Sequence, residues 1–517
     1  MSRDRLVLGG LAAGLLGAVF ALACSSSPTG RQSSEPISLT IGVPQSKQNE
    51  SGHGIDVLAS FLTRQRLSAS DAAGRPKPLL ATWTVADDGL SWRFTLQPNA
   101  TFHDDSPVTA ADVKRWLDAA RRDPDAMANT ACLDDVADVL VEDDRSFVVH
   151  LTRRCSLLLD DLDFSVTKPG ADGGAIGTGP FVAESFEPSS DTITLAANEH
   201  YYGGRPGIDR VKIRAFLSLR EAWVAMLRGE VDFLWEVGPD AAEFIGEQTS
   251  VELRSYLGYA AYTIIFNSAR PPFDRPEVKQ ALSLAIDRAA LLQRVLHGRG
   301  TAASSPIWPN HWARPAGRPE VPFAPAEAAA GLRKALGRPD TGTGRHPAPV
   351  LSFSCLIPEG FTVYERLALL VQQQLQAIDV DMRLEAVPMA TFNERLGTGS
   401  FDALLLAPLS GANLGVHYRF WHSPSPSRRM NYWGYSSSAT DSALEELRNA
   451  LTDDDVRRAV AGLDAALRAD PPGVVLLWSE TLQAVSRRFV VPDSGKNRDA
   501  LHVLWEWRLA GSEARRP

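Results

Sequence analysis

The alternation of strand and helix patterns over residues 350–407 constrains the fold of this chain more than any other feature. Three apolar runs have strand character, at Val350 to Ile357, Val380 to Ala386 and Phe401 to Ala407. A helical pattern at Thr362 to Ile378 and a helical turn at Thr391 to Leu396 separate them. Strands joined by helices pair in parallel through right-handed crossovers. An α/β lobe is therefore predicted here, with ligands binding beyond the carboxyl ends of its strands.

The N-terminus has the pattern of an export signal. The apolar run from Leu6 to Ala23 follows two arginines and is shorter than the roughly 20 residues of a spanning helix. Its end, Ala21 to Cys24, resembles the lipobox of bacterial lipoproteins, which implies cleavage before Cys24 and acylation of that residue. Residues 1–23 are then a signal peptide, and residues 24–36 a lipidated cysteine and flexible tether. An ordinary secretory signal with an incidental Cys24 is the alternative.

Length and charge limit the possible partners. A chain of 517 residues has material for about three to five domain-sized units. Asp plus Glu number 62 against 53 for Lys plus Arg, a net charge of -9, and no basic stripe is present. Because phosphate backbones require clustered positive charge, we expect no nucleic acid partner.

Two of the four cysteines are placed symmetrically about a predicted hairpin. Strand patterns at Val136 to Val141 and Ser146 to Leu151 flank a polar turn, whose midpoint coincides with the midpoint between Cys132 and Cys155. In an antiparallel hairpin this symmetry places the two cysteines opposite each other, and a disulfide is predicted. Two buried free thiols are the alternative. Cys355, inside an apolar run, is predicted to be an inert core thiol.

Motifs of catalysis are missing from the sequence. No G-x-S-x-G, G-K-[ST] or H-E-x-x-H pattern occurs, and the ten histidines are scattered. Gly298 to Ala303 matches G-x-G-x-x-A, but it follows a helical pattern where a dinucleotide site needs a strand. Asp104 and Asp105 are adjacent and would point apart, unlike the facing carboxylates of glycosidases. We therefore expect no catalytic residues, no metal ligands and no cofactor.

A set of short motifs follows a fixed order along the chain. They are Leu80 to Trp83, Asp87 to Leu96, Phe102 to Asp105, Thr109 to Val113, Gly177 to Phe181, Asn198 to Gly204, Leu227 to Asp232, Phe266-Asn267, Pro271 to Asp274, Lys279 to Leu282 and Ala285 to Arg288. In this order and spacing the set resembles the family 5 extracellular solute-binding proteins, the peptide, nickel and opine receptors of ABC importers.

The resemblance implies an α/β, two-lobed periplasmic-binding-protein-like fold of type II, of the large cluster with an extra subdomain on the first lobe. Lobe I is predicted at residues 37–58, 165–265 and 480–517, its extra subdomain at 59–164, and lobe II at 266–479. The chain would cross between lobes at Phe266 and Asn267 and return near Trp478. These three residues are the predicted hinge.

Two loops depart from the pattern of family members that take short peptides. Such members commonly have an acidic residue after the strand matching Phe401 to Ala407, which holds the α-ammonium of the peptide. They also have an Arg after the strand matching Val350 to Ile357, which holds its carboxylate. Here these loops carry neither charge. Other residues are predicted to contact the solute, with core packing as the alternative for each aromatic ring. They are Tyr259, Tyr262, Glu359, Ser410, Asn413, Tyr418, Trp421 and Trp433.

These observations predict a lipid-anchored receptor of an ABC importer that is not an enzyme. It would capture an oligopeptide or another small organic solute between two lobes and deliver it to a membrane permease. We expect a monomer, exported and held by its lipid at the periplasmic or extracellular side of the cell membrane. A sensory receptor on the same fold is the alternative, and an enzyme on this scaffold would need a nucleophile and base, or facing carboxylates, that the sequence lacks.

Overall fold

The computed structural model describes residues 35–44, 53–123, 126–127, 130–171, 173–317, 319–338, 348–408, 411–424 and 430–511. The predicted signal peptide, Cys24 and Ser410 lie outside these residues. The described residues from Ile37 onward form one compact unit.

Strands and helices alternate along the described chain. The strands are β1 (Ser38–Pro44), β2 (Gln65–Arg66), β3 (Ser68–Ser70), β4 (Pro76–Pro78), β5 (Ala81–Val85), β6 (Ser91–Leu96), β7 (Val136–Val141), β8 (Ser146–Leu151), β9 (Ser165–Val166), β10 (Lys168–Pro169), β11 (Ala175–Ile176), β12 (Phe181–Glu187), β13 (Thr192–Ala197), β14 (Arg210–Phe216), β15 (Phe233–Val237), β16 (Val251–Phe266), β17 (Gly300–Ala302), β18 (Leu351–Pro358), β19 (Val380–Val387), β20 (Ala403–Leu406), β21 (Gly473–Ser486), β22 (Phe489–Val490) and β23 (Arg508–Leu509).

The α-helices are α1 (His53–Thr63), α2 (Ala110–Ala120), α3 (Leu158–Asp161), α4 (Leu219–Leu227), α5 (Pro239–Gly246), α6 (Pro276–Leu284), α7 (Arg288–Leu296), α8 (Pro325–Leu336), α9 (Thr362–Gln376), α10 (Met389–Thr398), α11 (Gly415–Trp421), α12 (Ser438–Arg448) and α13 (Asp453–Ala469). Short 3-10 helices occur at Leu133–Asp135, Pro188–Ser190, Asp493–Gly495 and Ala500–Glu506.

Capping boxes fix the starts of two helices. Thr109, the N-cap expected from the sequence, accepts a hydrogen bond from the backbone N–H of Asp112, whose carboxylate accepts one from the backbone N–H of Thr109 in return. Thr452 and Asp455 repeat the arrangement at the start of α13. Each box satisfies N–H groups that a helix leaves unpaired at its first turn.

One large sheet, ordered β12-β13-β14-β1-β15-β21-β16-β20-β18-β19, runs through the chain, with β17 paired to β21. The first half of the sheet consists of β1 and β12 to β15. Within it, β14, β1 and β15 are parallel. In its second half, β18 pairs in parallel with both β19 and β20. The predicted strand, helix, strand, helix, strand unit is thereby confirmed, and its second helix, α10, extends beyond the helical turn expected from the sequence.

A separate four-stranded sheet, β5-β6-β8-β7, shares a hydrophobic core with the helices that follow β20. Phe94 and Phe147 of this small sheet stack at 5.0 Å between ring centroids. The same cluster of buried residues continues into Leu444 of α12 and Leu463 of α13. Residues far apart in the sequence therefore share one core, and apolar burial holds the small sheet against α12 and α13.

A buried ion pair joins these two parts of the shared core. The guanidinium of Arg448, at the end of α12, forms an ion pair with the carboxylate of Asp135, and both side chains are almost fully buried. Arg153 Nε also lies 2.9 Å from Asp135 Oδ1, but its own side chain is exposed. Ser156 Oγ donates to the carbonyl of Leu447 at 2.6 Å, which ties the same surfaces together.

We predict that Asp135→Asn lowers the free energy of unfolding by about 3 kcal/mol, because Arg448 then stays buried without a counter-charge. Arg448→Met should cost less, since Arg153 still contacts Asp135. The double variant should therefore be more stable than the sum of the single changes implies, as measured by urea unfolding. Asp454→Asn, which breaks an exposed pair with Arg457, is the control and should cost under about 0.5 kcal/mol. Additive single effects would contradict the coupling.

The structure joins Cys132 and Cys155 by a disulfide, with 6.0 Å between their Cα atoms and 23 residues of sequence separation. Both lie in the core beside the small sheet. Cys355 is a buried free cysteine in the second half of the large sheet, where desolvation raises the pKa of its thiol to about 12. Such a thiol is poorly reactive, because the thiolate is the nucleophilic form.

Reduction of the disulfide should lower the free energy of unfolding by about 3 kcal/mol, the loop-closure contribution for a loop of this length. The variant in which Cys132 and Cys155 are both Ala should be destabilised and should no longer respond to reductant. Cys355→Ala should keep the response, because it leaves the disulfide in place. Denaturant unfolding with and without reductant measures all three proteins, and equal response of the double variant and the parent would contradict the assignment.

Candidate functional site

The registers of the large sheet bring the carboxyl ends of strands from both halves toward its centre. β15 pairs with the last residues of β21, through Val237 opposite Leu482. β20 pairs with the last residues of β16, through Leu406 opposite Thr263. Because β16 and β21 are antiparallel, β15 and β20 run in opposite senses and point at one another. Between them lies the crossing region, which we define as residues 256–262 of β16 and 476–481 of β21.

Regular pairing breaks down in the crossing region. The register between β16 and β21 shifts between Leu257 and Ala261 and again between Tyr262 and Thr263. A Cβ added to Gly258 would lie 2.9 Å from the carbonyl oxygen of Ser479, so the close approach of the two strands requires glycine here. The Trp308 Nε1–H donates to the carbonyl of Gly258 at 3.1 Å. Bulges of this kind re-aim side chains and are frequent beside binding sites.

Half-buried aromatic rings line the crossing region. Ring centroids of Tyr259 lie 5.1 Å from Trp308 and 6.1 Å from Tyr256. On the other side Tyr262 meets Tyr364 of α9 edge-on at 5.2 Å. Desolvation by the surrounding protein raises the pKa of each of these tyrosines, and that of Tyr364 reaches about 12. The rings therefore present neutral hydroxyls and π-faces at physiological pH.

Glu236 is the acidic side chain at the carboxyl end of β15. Pairing of β15 with β21 shifts register between Leu234 and Val237, so Glu236 lies in a bulge. Its side chain is solvent-exposed, yet desolvation by surrounding protein raises its pKa. This combination indicates a carboxylate in a concave surface. Desolvation is the main cause of the raised pKa of Tyr256 and Tyr262, and electrostatic repulsion from Glu236 adds to it in a minor way.

Neighbouring charges differ in whether they have partners. Asp499 is buried and accepts hydrogen bonds from Trp235 Nε1 at 2.9 Å and Gln483 Nε2 at 2.7 Å. Its carboxylate therefore links β15 to β21. Arg498, the residue before Asp499, is half-buried. Within the described part of the chain, neither Glu236 nor Arg498 forms a hydrogen bond or ion pair from its side chain.

Exposed ion pairs link α5, which follows β15, to helices packed on the second half of the sheet. Asp240 lies 2.9 Å from His297 Nε2 and 3.3 Å from Arg366 Nη1. All three side chains are solvent-exposed, so each pair contributes little to stability. Contacts this weak permit relative movement of the two sides.

The residues expected from the sequence to contact a solute fall into two groups. Tyr259 and Tyr262 are half-buried in the crossing region. Glu359 is exposed just after β18, and Asn413 accepts from the Val416 N–H at 3.1 Å and donates to Asp160. Ser410 is outside the described residues. The remaining three, Tyr418, Trp421 and Trp433, are buried in the core shared with the small sheet.

Burial gives each of these three aromatic residues a role in core packing, which is the alternative to solute contact. Tyr418 Oη donates to Glu445 at 2.6 Å, and Trp433 Nε1 donates to the carbonyl of Phe420 at 3.2 Å. Trp421 lies 5.2 Å from Trp433 between ring centroids. At 1 to 2% exposure none of them offers surface to a solute in this conformation.

The predicted hinge residues lie on or beside the two long strands. Phe266 is the last residue of β16, and Trp478 is in the middle of β21. Both are buried. The Asn267 side chain donates to the carbonyls of Gly399 and Phe401 at 3.0 and 3.1 Å, so it fastens the end of β16 to the turn before β20.

Sequence reasoning missed Glu236, Tyr256, Trp308, Tyr364 and Arg498. The sequence contains one signal for Glu236, because this acidic residue directly follows the mainly apolar strand pattern Val231-Asp232-Phe233-Leu234-Trp235. The others depend on bulges and long-range pairing that local patterns do not encode.

Over the described residues, no group of three or more His, Cys, Asp or Glu side chains could hold a metal ion. None of the helices described is long and apolar enough to cross a membrane.

Comparison with known proteins identifies the family. The family model described as "Bacterial extracellular solute-binding proteins, family 5 Middle" matches residues 75–429. The chain belongs to this family. Family 5 proteins are extracytoplasmic solute receptors of ABC importers, as the sequence motifs had suggested.

Individual family 5 relatives are distant in sequence but similar in fold. The "Probable D,D-dipeptide-binding periplasmic protein DdpA" of Escherichia coli is 24% identical over 84% of both chains. AppA of Bacillus subtilis, solved with a nonapeptide, superposes with a TM-score of 0.74 at 20% identity, covering 92% of this chain and 100% of AppA. NikZ of Campylobacter jejuni, solved with Ni(L-His), gives 0.75 at 19% identity, covering 91% and 99%. The predicted α/β, two-lobed binding-protein fold is confirmed.

We predict that Glu236→Gln stabilises the solute-free protein at pH 8. The pKa of Glu236 is raised in the folded state, so the ionised carboxylate opposes folding above that pKa, and this cost vanishes as the pH falls below the unfolded value near 4.3. Because solvent reaches the side chain, the gain should not exceed about 1 kcal/mol. Thermal unfolding from pH 8 to pH 4 should show the difference shrinking.

Glu243→Gln is the matched control, since Glu243 is exposed on α5, close in sequence but outside the crossing region. It should leave stability unchanged at every pH. A Glu236→Gln variant less stable than the parent at pH 8 would contradict the unpaired, desolvated carboxylate.

Proposed function

We propose that this chain is the lipid-anchored solute receptor of an ABC importer, which binds its solute at the crossing region. Cys24 would carry the lipid, and residues 24–36 would tether a monomeric receptor to the membrane. The solute would be an oligopeptide or another small organic molecule, in line with the peptide ligand of AppA and the dipeptide named for the E. coli relative.

One observation carries the proposal. Half-buried aromatic rings lie in the crossing region, where the carboxyl ends of strands from both halves of the sheet meet, and Glu236 at the end of β15 has no partner in the described chain. Carboxyl strand ends are where open α/β sheets place their ligands, and pockets for organic solutes combine apolar walls with few polar groups. Glu236 and Arg498 have no hydrogen-bond or ion-pair partner in the described chain, so their charges are available to a solute.

Closure would follow from contacts to both halves. A solute that touches Tyr256 and Glu236 on one side and Tyr364 on the other binds the closed state more tightly than the open state. Its binding therefore shifts the population toward closure. The exposed ion pairs of Asp240 with His297 and Arg366 would add to the closed state only modestly.

A thermal-shift screen tests the proposal. The chain from residue 25 onward is incubated with di- to pentapeptides, sugars, polyamines, opines and nickel. A ligand that binds only the folded state stabilises it by mass action. At a ligand concentration a hundredfold above Kd the stabilisation is about 2.7 kcal/mol, and the Tm rises accordingly. We expect a saturable shift with one class. Tyr364→Ala should weaken it at least about tenfold, whereas Leu369→Ala, an exposed change on the same helix, should leave it intact. No shift with any compound would contradict the receptor function.

A further inference from the structure

Glu236, in the bulge at the carboxyl end of β15, has a carboxylate without a hydrogen-bond or ion-pair partner in the described chain, as does Glu480 on β21. Asp232, on the same side of the sheet, accepts from the backbone N–H of Thr40 at 3.0 Å and from Arg488 at 2.9 Å. Asp499 is held by Trp235 and Gln483. Each of these two carboxylates therefore has a structural role, whereas nothing in the described chain balances the charge of Glu236.

An unpartnered, desolvated carboxylate costs stability, and proteins retain such groups mainly at functional sites. Glu236 is nevertheless reachable from solvent, because its side chain is exposed. It lies in a bulge at the carboxyl end of β15, where Val237 pairs with Leu482 of β21, and the adjacent Thr481 pairs with Tyr256 of β16. Within the described residues no side chain neutralises it, so its charge is open to a solute.

The chemistry around Glu236 is that of a cation site. A carboxylate forms strong charge-assisted hydrogen bonds with ammonium and guanidinium groups. Tyrosine rings add attraction between their π-faces and a cation. The nearby basic residue Arg254 is already occupied, since it contacts Glu252 at 2.7 Å and donates to the carbonyl of Gly495 at 3.3 Å.

We propose that Glu236 is the specificity-determining residue of the receptor, and that it selects solutes carrying an ammonium or guanidinium group bound at the carboxyl end of β15. The inference rests on the proposed function and narrows its solute class. It also locates a positively charged group of the solute on the first half of the sheet, although the loops after β18 and β20 lack the end-binding charges expected there.

Arg498 sets the polarity of the site. It is half-buried and directly precedes Asp499, which is bonded to Trp235 and Gln483, and it has no partner in the described chain. An anionic or carbonyl group of the solute would lie toward Arg498 while the cation lies at Glu236. A purely anionic solute is disfavoured, because it would leave Glu236 unbalanced and repelled.

Matched pairs of probes test the charge requirement directly. The cationic members are choline, 1,5-diaminopentane and trialanine. Their neutral or N-blocked counterparts are 3,3-dimethyl-1-butanol, 1,5-pentanediol and N-acetyl-trialanine, and a set of neutral sugars completes the panel. Binding of each compound to the parent chain, Glu236→Gln and Glu243→Gln is measured by thermal shift and titration calorimetry.

At least one cationic probe should bind the parent and Glu243→Gln, with its uncharged counterpart at least about tenfold weaker. Glu236→Gln should weaken the cationic probe roughly tenfold to hundredfold, the effect of losing one charge-assisted hydrogen bond. The neutral variant is expected to fold, and its unperturbed unfolding transition checks this.

Two results would overturn the inference while leaving the receptor function in place. One is selective binding of sugars or other uncharged probes without binding of any cationic one. The other is equal affinity of a cationic probe for the parent and Glu236→Gln. If neither this panel nor the wider thermal-shift screen yields a compound that binds any of the three proteins, the proposed function itself fails, and the inference fails with it.

Discussion

Pairing between β16 and β21 is the interaction on which the rest of the structure depends. These strands have 16 and 14 residues, and they are the elements through which the two halves of the large sheet are continuous. Their outer segments are regularly paired, from Val251 opposite Ser486 and from Ile265 opposite Gly473. Near Gly473 the strands approach so closely that an added Cβ would lie 2.2 Å from the carbonyl of Ile264. Each half is thus firmly attached to the shared strands.

The crossing region is the weak segment of this ladder, and its weakness suits a binding site. Register shifts remove backbone hydrogen bonds and free Tyr259 from regular alternation. Trp308 compensates in part by donating to Gly258, and Gly411 N–H donates to the carbonyl of Tyr259 at 2.9 Å. Backbone groups released by the bulges are satisfied by side chains and loops from elsewhere, so side chains can be re-aimed without leaving buried polar groups unpaired.

Much of the fold follows from local patterns in the sequence. Alternation of apolar strands and helices at residues 350–407 is enough to predict parallel pairing of β18 with β19 and β20, because chain connectivity permits few alternatives. Thr109 as a helix N-cap is equally local. Shared cores are not: nothing near Asp135 indicates Arg448 as its partner, and Tyr418, Trp421 and Trp433 have the same apolar spacing whether they face a solute or a core. Glu236 shows the same limit. Whether its carboxylate has a protein partner depends on which side chains the fold brings near it, and a local sequence pattern does not contain that information.

The placement of charge distinguishes this chain from a receptor built around the loops after β18 and β20. Among the described residues of those loops, Glu359 is exposed after β18 and Asn413 braces α11, whereas Glu236 lies at the carboxyl end of β15 on the first half of the sheet. Strand-end residues are held by the sheet and lose little conformational freedom on binding, while loop residues must be ordered at a cost. A site whose charges are fixed on the first half of the sheet and whose aromatic wall comes partly from α9 would hold a solute first by charge and then by closure. That order of events makes charge the main basis of selection, because a solute without the matching charge would gain too little on the first half for closure to follow.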